Sequence, residues 1–150
     1  MRRYLLLFLS LMAGGSLLLV ACSDDDASNG DVAMLVALDF LGGVEWHGID
    51  EALHEEGAQI DATWLGDVTR ARTAVAVIDW DDSLDDLVDT FLDTSAVLEE
   101  ALAADDVEAA ASAATPVHEA AHELIDSTYE LLGERAGFAA PADDHDEAEE

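Results

Sequence analysis

From Asp31 to Arg135 the apolar residues return every three or four positions and never alternate in twos over a strand's length. Side chains at that spacing share one face of an α-helix, so the chain is expected to be all-α. A first helix is predicted from Asp31 to Glu56, stopped by Gly57, which tolerates the left-handed backbone of a helix end. Asp61 can cap a second, with Trp64, Leu65, Val68, Ala71, Val75 and Ile78 on one stripe. The segment IDWDDS breaks the pattern, and Ser83 with Asp86 has the spacing of a capping pair. A third helix then carries Leu84, Leu87, Val88, Phe91, Ser95, Leu98 and Leu102. Asp105 with Glu108 repeats the signal and opens a fourth helix reaching about Arg135. Pro116 should bend that helix and free the Ser112 carbonyl. Four amphipathic helices with short connections predict a single antiparallel up-down-up-down four-helix bundle over residues 31–137, followed by a disordered acidic tail, 138–150.

The N-terminus assigns a compartment. Arg2 and Arg3 precede a nearly continuous apolar run, Tyr4 to Val20, whose length suits a signal peptide better than a spanning helix. The run ends in Leu19-Val20-Ala21-Cys22, which resembles the bacterial lipobox. That resemblance implies a signal peptide, 1–21, cleaved before Cys22, and a diacylglyceryl group on the Cys22 sulfur. Residues 22–30 then read as the lipidated Cys and an acidic tether, and the mature protein as a lipoprotein anchored on the extracytoplasmic side of a membrane. Two acyl chains suffice for stable anchoring. Cys22 is the only cysteine, so no disulfide supports the fold.

Charge excludes one class of partner. Without Arg2 and Arg3, three arginines stand against 35 acidic residues, a formal charge of −32 on the mature chain. Such a surface repels nucleic acid and anionic headgroups, and leaves metal cations or a basic protein as partners.

The segment PVHEAAHELI, 116–125, contains His-Glu-x-x-His. In zinc peptidases that spacing provides two ligands and a general base, but a third ligand and a substrate-aligning sheet edge are also needed. Neither is evident here, and Glu119 falls about 175° from the centre of the helix's core stripe, toward water. No enzyme activity is therefore expected. His118 and His122, about 75° and 115° from that centre, flank the core as a chelating i, i+4 pair. If the first and fourth helices are neighbours, His47 lies about 14 Å down the bundle, His118 about 20 Å and His122 about 25 Å. A small slide would bring His47 level with His118, whereas His54, about 3 Å down, stays out of reach. The main apolar stripe of the first helix, Leu35, Leu38, Trp46, Ile49 and Leu53, points away from His47, and Val36, Phe40 and Val44 form a second strip on the His47 side. Di-iron and hemerythrin-like sites are disfavoured, because the two Glu-x-x-His elements differ in level and the second and third helices carry no histidine.

Trp46-His47-Gly48-Ile49-Asp50-Glu51-Ala52-Leu53 resembles the His-x-x-Glu segment of the imelysin family, which includes the EfeO-type proteins of extracytoplasmic iron uptake. Over these few residues the resemblance implies a metal-binding role for His47 and Asp50, with Asp50 standing where the family has Glu. The chain is shorter than the usual two-bundle imelysin domain. The expected metal ligands are therefore His47, His118 and His122, with Asp50 and Glu51 as carboxylate candidates, for a divalent ion such as zinc, copper or iron. The alternative is a non-catalytic structural or interaction module with no metal site. Arg72, near the level of His47, could orient a ligand carboxylate or pair with any of the many acids.

Overall fold

The computed structural model describes residues 26–137, with side chains from Asn29 onward. The expected signal peptide, Cys22 and the expected acidic tail 138–150 lie outside the described residues, as do residues 22–25 of the expected tether. The described residues are all helical, without a strand. In chain order the elements are α1 (Asp26–Gly42), α2 (Trp46–His54), α3 (Trp64–Ala76), a 3-10 turn (Asp82–Leu84), α4 (Asp85–Ala103) and α5 (Val107–Arg135). Counting α1 and α2 as one interrupted segment, these are four helices. α4 and α5 form the most extensive contact; α2 packs on α5, and α3 on both α4 and α1.

The predicted first helix differs in two ways. It begins at Asp26, within the expected tether, and it breaks at Gly43-Val44-Glu45. The break has local causes. Gly42 and Gly43 weaken the helix, the Gly43 amide still bonds Asp39 at 3.0 Å, and the Trp46 indole donates to the Leu41 carbonyl at 2.8 Å. A buried carbonyl released by the turn thus keeps a partner. Because the phase changes there, the expected stripes are redistributed. Met34, Ala37, Leu38 and Leu41 enter the core from α1 and Val44, Trp46, Ile49 and Leu53 follow, while Leu35, Val36 and Phe40 remain exposed.

Helix ends follow the expected chemistry with shifts of position. Gly57 does adopt a positive φ of 82°, three residues after α2 stops. Asp61 accepts from both the amide and the hydroxyl of Thr63 in the turn before α3. The cap before α4 is Asp81, which accepts from the Ser83 amide at 3.0 Å, so Ser83 donates where it was expected to cap. At the next connection Asp106, not Asp105, caps α5 by accepting from the Ala109 amide. Asp105 is diverted because it closes the end of α4. Its φ is +55°, its amide bonds Leu102, and the Asp106 amide reaches back to Ala101, the paired bonds of a Schellman motif.

The core is centred on Phe91, which meets Trp46 edge to face at 5.8 Å. Small residues, Ala110, Ala113, Ala114, Ala120 and Ala121, line the buried face of α5 and let neighbouring helices approach closely. The two buried hydroxyls, Ser95 and Thr128, donate to carbonyls of their own helices. α5 continues as helix through Pro116.

Candidate functional site

The site lies where α2 packs on α5. Trp46, Ile49 and Leu53 hold one face of α2 in the core, which leaves His47, Asp50, Glu51 and His54 along its other side. On α5, Val117, Ala121 and Leu124 are buried, and His118 sits at the edge of that stripe with 19% of its side chain exposed. His47 and His122 are exposed.

The structure brings the three expected imidazoles into a row. The His47 and His118 ring centroids are 5.5 Å apart, and those of His118 and His122 4.9 Å, with the planes tilted by 55° and 61°. His47 Nε2 also stands 4.0 Å from the Glu51 carboxylate. Among the described residues no group of three His, Cys, Asp or Glu side chains is placed so as to hold a metal ion.

Asp50 is the hub. Its Oδ1 accepts from the Thr115 hydroxyl at 2.8 Å and its Oδ2 from His118 Nδ1 at 3.1 Å. A carboxylate can only accept, so His118 carries its proton on Nδ1 and turns the Nε2 lone pair outward from this bond. Partial burial works against ionising Asp50. Hydrogen bonds from the Thr115 hydroxyl and from His118 outweigh it and hold the carboxyl below its ordinary range.

Sequence reading missed Thr115 and the part played by His54. His54 Nδ1 donates to the Asp50 main-chain carbonyl at 2.8 Å and lies 3.3 Å from its carboxylate. Its distance from the other rings mattered less than its i, i+4 relation to Asp50, which could have been read from the sequence. Thr115, three residues before His118, shares its side of α5, but its bond to Asp50 runs across to another helix. Asp50 was expected as a ligand, yet both its oxygens are engaged in hydrogen bonds. Arg72 lies outside the cluster. It donates to the Leu92 carbonyl at 3.2 Å and pairs with Glu99 at 3.1 Å, tying α3 to α4. Glu119 is exposed, so the Glu of His-Glu-x-x-His does not face the core.

No protein-family model, curated protein or solved structure matches this chain.

Proposed function

We propose that this is a membrane-anchored extracytoplasmic lipoprotein whose helices form an up-down-up-down bundle, and that it binds a divalent metal ion through His47, His118 and His122. The observation that carries this reading is the spacing of three imidazoles contributed by two helices. Zinc bonds imidazole nitrogen at about 2.0–2.1 Å, which puts each ring centroid about 3 Å from the metal and two ligating rings about 5 Å apart. His47–His118 and His118–His122 stand near that spacing, and a shared ion requires the exposed His47 and His122 rings to swing toward each other. Asp50 fixes the tautomer and direction of His118, the carboxylate–histidine support typical of metal sites, and Glu51 remains the carboxylate nearest to His47. Zinc, copper and iron all accept imidazole nitrogen, so the donor set alone does not choose among them. Lipidation of Cys22 rests on the lipobox resemblance. The second reading, a structural or interaction module, draws support from the incomplete convergence of the donors.

Elemental analysis of protein purified without chelator or affinity tag tests the proposal. About one bound transition metal per chain, lost in the His47→Ala, His118→Ala, His122→Ala triple variant, supports it. The same metal content in both proteins sinks it.

A further inference from the structure

α1 is apolar on more sides than the fold covers. Val32, Val36 and Phe40 stand one turn apart and are 58%, 52% and 45% exposed, and Val77 just beyond α3 is 76% exposed. Val36 and Phe40 with Val77 and Ile78 line an open groove of about 740 Å³ between α1 and the end of α3. Over Asn29–His54 only 39% of the most apolar stretch, of mean hydropathy 1.4, is buried in the fold. This stretch also carries few charges for a very acidic chain. From Asn29 to Val44 the ionisable side chains are Asp31 and Asp39, and Arg135 bonds Asp31 at 2.7 Å.

We infer that the Val32–Val36–Phe40 strip of α1, continued by Val77, lies against the surface of the bilayer that holds the anchor. The chain length outside the described residues selects this occupant. Cys22 precedes the first helical residue, Asp26, by four residues, and an extended chain of that length spans at most about 14 Å. An acylated Cys22 therefore keeps α1 within one short tether of the lipid, where an apolar helix face settles into the headgroup boundary. The remaining acidic surface is repelled by anionic headgroups, which favours contact through a face that carries few carboxylates. The inference rests on the lipoprotein reading and not on the metal site.

The test uses the mature protein in phosphatidylcholine vesicles. Acylation blocks the only natural thiol, so Val36→Cys adds a single site for an environment-sensitive fluorophore, and Val97→Cys, exposed on α4, supplies the comparison. Intact mass is measured first. An unacylated Cys22 overturns the anchor and this inference together. With the acyl groups confirmed, the label at position 36 should be blue-shifted and several-fold more strongly quenched by doxyl-labelled lipid than the label at position 97. Equal exposure of both labels to aqueous iodide, without lipid quenching, overturns membrane contact alone. Protection of position 36 from iodide without lipid quenching also overturns it, and shows the face covered by a second copy of the chain.

Discussion

His118 Nδ1 lies 3.1 Å from Asp50 Oδ2, a bond between residues 68 positions apart that fastens α5 to α2 and fixes one imidazole of a row of three. Thr115 fills the other carboxylate oxygen, so the acid is held on both sides. If His118 binds metal through Nε2, Asp50 acts by orientation. Asp50→Asn can turn its amide toward Nδ1 and select the wrong tautomer. It should weaken zinc or copper binding about 10–100-fold while leaving the helix content unchanged. Thr115→Val should weaken it less. Calorimetric titration beside circular dichroism checks both.

Much of this was legible in the residues, and the failures have physical causes. The three-to-four spacing was enough for an all-helical chain, and helical rise alone put His47 near the level of His118. The break at Gly43 has a signal in the Gly42-Gly43 pair, but apolar residues continue across it and the bond that secures it, from Trp46 to the Leu41 carbonyl, is not legible in the sequence. Leu35 was misplaced because α1, apolar nearly all round, gives no phase. Asp105 and Asp106 were interchangeable by pattern, and the choice falls on which of them turns left-handed to close α4. Thr115 was missed because its hydrogen bond depends on side-chain direction across two helices.

The break itself is testable. Trp46→Phe keeps an aromatic ring near Phe91 but removes the short indole bond from the buried Leu41 carbonyl, leaving it only the long 3.5 Å bond from the Val44 amide. It should destabilise the protein by about 1–3 kcal/mol in urea unfolding. An unchanged midpoint would show that another donor replaces the indole.

Charge sets a response to salt. Arg70, Arg72 and Arg135 are each paired with acids, by Asp67, by Glu99, and by Asp31 with Asp81 respectively. Most carboxylates therefore have no cationic partner, and self-repulsion should ease as salt screens it. Tm should rise with sodium chloride, by about 4 °C for each kcal/mol of repulsion relieved in a domain of this size. A Tm flat from low to molar salt would contradict this.

Asp81 gives the acid side of the stability profile a sign. The Ser83 hydroxyl and amide, with Arg135, hold its carboxyl below the ordinary 3.8, against a smaller opposing effect of burial. Its contribution is therefore complete above that ordinary value and is lost as pH falls through the lowered folded value. Asp81→Ala should lower Tm at neutral pH, and the gap from wild type should narrow below about pH 4. A gap that widened on acidification would reverse the assignment.

The central claim is tested most directly by titrating metal-free protein with zinc and with copper, by calorimetry at moderate salt, which suppresses weak cation binding to the 35 acidic residues. Wild type should bind one equivalent, more weakly as pH falls because imidazole must be neutral to ligate. His47→Ala and His118→Ala should each lose most of the affinity, and Glu119→Gln should bind nearly as wild type. If the His47→Ala, His118→Ala, His122→Ala variant binds as wild type does, the three imidazoles do not form a metal centre.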